Sequence, residues 1–117
     1  MKGYHQYQSC IEACLRCAAL CHHCASSCTQ EDEVKMMARC IQLDMECAAI
    51  CEAAAQLMSL GSERAQDICS ICAAICEACG AECRKHSHME HCQECAEACL
   101  HCAAECRKMA TMTENVL

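Results

Sequence analysis

Proline, tryptophan and phenylalanine are absent from the 117 residues, and there are only three glycines and two tyrosines. Without proline, and with so little glycine, almost nothing in the chain breaks a helix from within. Without large aromatics, it lacks the side chains that usually supply the most buried area in a small core. Basic residues are also scarce, with nine Lys and Arg against 16 Asp and Glu, a formal net charge of −7. That balance argues against a nucleic-acid partner, which requires a basic stripe facing the phosphates. It modestly attracts cations instead. No uninterrupted apolar stretch is long enough to span a bilayer, so no membrane association is expected. Met1-Lys2-Gly3-Tyr4-His5-Gln6-Tyr7-Gln8 carries no apolar run of the kind a secretory signal needs, and the expected location is the cytoplasm. The length suits one domain over residues 1–117.

Cysteine takes the place of the missing aromatics, with 19 residues in four groups. The first is Cys10, Cys14, Cys17, Cys21, Cys24 and Cys28, and the second is Cys40, Cys47 and Cys51. The third is Cys69, Cys72, Cys76, Cys79 and Cys83, and the fourth is Cys92, Cys95, Cys99, Cys102 and Cys106. The pattern C-x2-C-x3-C-x2-C-x3-C recurs at 14–28, 69–83 and 92–106, an internal repeat. Steps alternating three and four residues trace one side of a helix that packs on other helices. A strand would repeat every two. The second group keeps the register with fewer thiols, through Met37, Cys40, Asp44, Cys47, Cys51, Ala54 and Met58. Asp44 therefore falls between thiols, as a hard ligand, as a hydrogen-bond acceptor, or turned outward with Leu43 in its place. Ile11, Leu15, Ile41, Leu43, Ile50, Leu57, Ile68, Ile71, Ile75 and Leu100 flank the seams. They either widen the core stripe or form a second buried surface between copies.

Helix punctuation separates the groups. Thr29-Gln30-Glu31-Asp32 and Ser87-His88-Met89-Glu90 read as capping boxes, and Gly61-Ser62 as a stop followed by a new cap. Arg84, Lys85 and His86 are cations at a helix carboxyl end. The expected helices span about 4–28, 31–60, 62–86 and 88–113. The connections are short, which forces antiparallel neighbours. The fold expected is all-α, an antiparallel up-down-up-down four-helix bundle with a cysteine-lined core.

Cysteine fills a bundle poorly compared with leucine, and voids cost stability. A seam of cysteine on every helix therefore implies that something else fills the space. Disulfides fit badly in a reducing cytosol, and the odd count leaves one thiol over. The CxxC units lie mid-helix and repeat, so no pair is marked as a redox nucleophile, and no enzyme is expected. Thiolates select soft ions: Cu(I), zinc or iron–sulfur clusters. Zinc on four thiolates carries a net charge of minus two, and several such sites in one narrow bundle would repel. One Cu(I) per thiolate leaves the core near neutral, which sets a ceiling of roughly one ion per cysteine, about 19. Sulfurs from neighbouring turns could turn toward each other and hold one linear Cu(I), with facing thiols as bridges. A zinc or general thiolate metal buffer stays open as an alternative, and a thiol redox or disulfide scaffold as a second.

Antiparallel packing gathers further soft donors at one end, beside Cys28 and Cys83. These are Met36, Met37, His86, His88, Met89 and His91. Thioether and imidazole release Cu(I) more easily than thiolate, as a metal entrance should. His5, Met58, Met109 and Met112 fall toward the opposite end, while His22, His23 and His101 lie off the seam.

These residues together closely resemble the bacterial copper storage proteins. The resemblance rests on four cysteine-lined helices, the repeated C-x2-C-x3-C units and the histidines between Cys83 and Cys92. It covers almost the whole chain. It implies a four-helix bundle, many Cu(I) ions held inside by the seam cysteines, a cytosolic member of the family, and a homotetramer. A copper chaperone is a candidate supplier of the metal. The second helix departs from the full repeat near Asp44 and Ala54.

Overall fold

In the computed structural model, which describes residues 3–112, four helices run in sequence: α1 (Tyr4–Cys28), α2 (Ala38–Ser59), α3 (Ala65–Arg84) and α4 (Glu90–Ala110). A single 3-10 turn, Val34–Met37, leads into α2. α1 packs on α2 and α4, and α3 packs on the same two, closing an up-down-up-down ring. The molecule is a rod of 54 × 18 × 18 Å. Small residues allow this slender shape. Ala13, Ala18, Ala48, Ala55, Ala73, Ala96 and Ala103 are buried at the helix contacts and let the backbones close around the seams.

The turn after α2 forms where Gly61 stood out in the sequence. Gly61 adopts φ 69°, its amide donates to the Met58 carbonyl, and the Ser62 amide donates to the Leu57 carbonyl, both at 3.0 Å. This pair of bonds satisfies the last carbonyls of α2, and the left-handed conformation favours glycine there. Gly3 needs its lack of a side chain for a different reason. It sits at φ 90°, and a Cβ would stand 2.8 Å from the Ser59 carbonyl oxygen. The chain start is thus pressed against the end of α2.

The expected helix starts at 31, 62 and 88 are corrected. α2 begins at Ala38 because Thr29 serves α1 instead: its hydroxyl donates to the Ser26 carbonyl at 2.6 Å. A helix starting at 31 would also run roughly 10 Å past the end of α1, at 1.5 Å per residue, with nothing to pack on. Residues 29–37 fold across the bundle end instead. The Ser62 hydroxyl accepts from the Arg64 amide at 3.0 Å, but regular helix starts only at Ala65. α4 starts at Glu90 with no side-chain cap, and its carboxylate lies in the first turn. Position 113, the expected end of α4, lies outside the described residues. No described helix is long and apolar enough to cross a membrane.

Candidate metal centre

All nineteen cysteines are free and buried. The 3-4 spacing explains this directly, since each group projects from the inward side of its helix. Consecutive turns of one helix bring sulfurs to 3.8–4.0 Å, as in Cys17–Cys21, Cys47–Cys51, Cys72–Cys76 and Cys102–Cys106. Facing helices bring them closer still. Cys40–Cys83 and Cys47–Cys76 stand at 3.6 Å, Cys17–Cys99 and Cys51–Cys72 at 3.7 Å. These contacts stack sulfur along the axis, with Asp44 joining Cys40, Cys79 and Cys83 to Cys95.

Bond lengths set the separations that ligation requires. With metal–sulfur bonds of about 2.3 Å, a linear ion separates its two sulfurs by about 4.6 Å, and a trigonal ion separates its three by about 4 Å. The metal-free thiols stand at 3.6–4.0 Å, so a small opening between turns of one helix makes the expected linear pair, and facing thiols lie close enough to bridge. Groups of four also converge within 4.8 Å, and they overlap. Cys17, Cys21, Cys47 and Cys99 form one, and Cys17, Cys47, Cys51 and Cys76 form another. Cys21 and Cys99 belong in turn to a group with Cys79 and Cys95. Shared members suit bridging thiolates and monovalent ions. They do not suit isolated tetrahedral zinc sites, each of which consumes four thiolates.

Asp44 interrupts this column from inside. It is fully buried. Its Oδ1 accepts from the thiols of Cys79 at 3.2 Å, Cys95 at 3.3 Å and Cys83 at 3.6 Å, while Oδ2 faces Cys40 at 3.9 Å. Of the three placements open from sequence, the outward turn is excluded: Asp44 faces inward and accepts from the thiols, where it is also within reach of metal held by them. Leu43 is buried as well, so neither residue displaces the other. Burial, together with Cys95 and Cys79, pushes the Asp44 carboxyl up to about 10. In the metal-free bundle it is therefore neutral at pH 7.

At the end where α1 and α3 finish, an imidazole meets the thiols. His91 Nδ1 stands 3.5 Å from Cys92 Sγ, 3.7 Å from Cys24 Sγ and 3.9 Å from Cys28 Sγ. Its Nε2 faces a Glu31 carboxylate oxygen at 2.9 Å. A carboxylate on the far nitrogen fixes the ring and frees Nδ1 as a donor for metal. Burial pushes the Cys28 thiol up, and pushes Cys92 up to about 12, so both keep their protons until metal displaces them. Glu31 was missed as a functional residue from sequence, where it read only as part of a cap.

The other candidate entrance residues are placed differently. Met37 is fully buried and Met89 packs half-buried on the core. His86 is held by Glu82, Nε2 to carboxylate 3.2 Å. Met36, at 67% exposed, faces solvent, and so does His88. Antiparallel packing brings all six to one end, but it does not by itself turn each of them inward. The chain turns at 29–37 and 85–89, which redirects Met36 and His88. His22, His23 and His101 lie on exposed faces.

Comparison with known proteins agrees with this geometry. A cysteine-rich protein of Bacillus subtilis (strain 168), YhjQ, is 50% identical over 81 residues, which is 69% of this chain and 75% of that one. The solved structure of the Cu(I)-bound copper storage protein BsCsp3 superposes with a TM-score of 0.86 at 48% identity, covering 91% of this chain and 100% of that chain. A cytosolic copper storage protein from Streptomyces lividans, solved during copper loading with five coppers, gives a TM-score of 0.88 at 39% identity, covering 92% and 93% of the two chains. The family model for copper storage proteins matches residues 4–111, and the chain belongs to the copper storage protein family.

Proposed function

We propose that the nineteen cysteines of this chain are the ligands of its stored Cu(I), bridging ions along the axis up to about one per thiolate. The overlap of the four-sulfur groups carries this reading, because overlapping groups call for thiolates that bridge, and one monovalent ion per bridging thiolate leaves the core neutral. Each thiol that binds gives up its proton, so Cu(I) enters as a proton leaves and the core stays near neutral. The protein is a metal store and not an enzyme. His91, held by Glu31, is the entrance ligand: it reaches Cys24, Cys28 and Cys92 and offers a neutral donor from which metal passes inward. Met37 and Met89 line the same end, with His86, His88 and Met36 at its rim.

The store works in the cytoplasm, where thiols stay reduced. The Streptomyces lividans relative, described as cytosolic, supports that location. The assembly is a homotetramer, in keeping with the resemblance to the family and with the exposed Leu15 and Leu60. These two flank a shallow groove lined also by Ala55 and Gln56. Light scattering on the purified protein tests it, with four chains expected and a monomer counting against it. A copper chaperone is the expected supplier.

Anaerobic titration of the reduced protein tests the ligand assignment. Cu(I) uptake should continue to about one ion per cysteine, whereas zinc should stop near four per chain, because each zinc needs four thiolates. Saturation of Cu(I) at four or five ions would overturn the bridged arrangement.

A further inference from the structure

At the end opposite His91, the sulfur column does not finish on a thiol. Cys69 is fully buried, and its Sγ lies 3.6 Å from the thioether Sδ of Met58, which is also fully buried. Cys10 and Cys106, 3.7 Å apart, are buried at the same end of the core. Beyond them the bundle is closed. Tyr7, Ile11 and Ala65 are buried there, Met109 and Met112 pack against the core, and the Gln6 amide donates to Met112 Sδ at 3.6 Å.

We propose that Met58 is a metal ligand, a thioether cap that joins Cys69 and Cys10 around the innermost Cu(I) ion. The inference rests on the storage reading and extends it to a residue outside the thiol set. A mid-column thiol has many sulfur neighbours: Cys47 meets Cys17, Cys51, Cys76 and Cys99. Cys69, at the last turn, meets a thioether where another thiol would otherwise stand. Thioether is a soft donor suited to Cu(I). It is neutral and releases no proton, so it completes the coordination of an ion already balanced by a thiolate. With metal–sulfur bonds of about 2.3 Å, sulfurs 3.6 Å apart subtend roughly 100° at a shared ion, which leaves room for a third donor. A leucine would fill similar volume and occupy the same apolar end. What the sulfur adds is ligation. No water-filled opening is needed beside Met58, because ions reach it along the column from the His91 end.

The test is selenium X-ray absorption on selenomethionine-labelled protein loaded anaerobically with Cu(I), comparing the native sequence with Met58→Leu. The native protein should show a selenium–copper neighbour, and Met58→Leu should lose it along with about one Cu(I) per chain. Met58→Leu conserves volume, so helicity should be retained. If it is not, the labelled double variant Met37→Leu, Met89→Leu keeps Met58 and removes the buried entrance thioethers, and its selenium–copper neighbour should persist. Normal copper loading with no selenium–copper neighbour, or with one that persists unchanged in Met58→Leu, overturns the Met58 site and leaves the store intact. A native protein that takes up almost no Cu(I) overturns both.

Discussion

The two ends of the bundle share one sulfur column and differ in what closes it. At the His91 end, Cys28 and Cys92 meet an imidazole, a carboxylate from Glu31 lies behind the ring, and Asp44 sits further in among four thiols. At the Met58 end, the neighbours are a thioether, a buried tyrosine and aliphatic side chains. One end is polar and can exchange ligands and protons with water. The other is sealed and soft. On the proposed assignments, metal and protons would cross at His91 and ions would accumulate toward Met58.

The largest expected effect comes from cutting the column between its ends. Cys17, Cys47 and Cys99 each belong to overlapping groups. Replacing all three with serine should reduce Cu(I) capacity by more than the three ligands removed, because neighbouring ions lose a bridge as well. A loss of three ions or fewer, read by anaerobic titration, would mean that the sites are independent. Acidification should come next in size. Each bound thiolate competes with a proton, and burial holds Cys92 up near 12. Affinity per thiolate should therefore weaken by about tenfold for each unit of falling pH, measured by competition with a Cu(I) chelator.

Asp44 gives a prediction for the metal-free protein. Its carboxyl is raised from 3.8 to about 10 on folding, so the folded state holds a proton that the unfolded state has lost at neutral pH. Its contribution to stability is complete below about 4 and is lost as pH rises toward 10. Asp44→Asn, which mimics the neutral carboxyl, should stabilise the metal-free bundle at pH 7 by about 1 kcal/mol or more and flatten its pH dependence. Thermal unfolding across that range checks it, and an unchanged slope would place Asp44 in contact with water. The smallest effect sharpens the contrast of the ends. Glu31→Gln should slow Cu(I) entry in stopped-flow loading while leaving final capacity unchanged, since the ring loses its carboxylate but His91 remains. A fall in capacity would make Glu31 itself a ligand.

The sequence made the column legible because alternating steps of three and four have one structural meaning. All nineteen thiols lie inward, and Gly61 ends α2 where it stood in the sequence. It did not reveal the mouth. Thr29 reads as a cap for the following helix, whereas the packed end of α1 takes its hydroxyl instead. The approach of Glu31 to His91 joins residues 60 positions apart, with no periodic signal behind it. Asp44 was visible in register, but its four thiol neighbours come from three helices and became evident only once those helices were assembled.

Anomalous diffraction at the copper edge, from crystals of the fully loaded protein, tests the central claim most directly. The account predicts a string of copper peaks on the bundle axis, each within bonding distance of two or three cysteine sulfurs that also serve a neighbouring peak. A few peaks each held by four unshared sulfurs, or peaks confined to the outer surface, would contradict it.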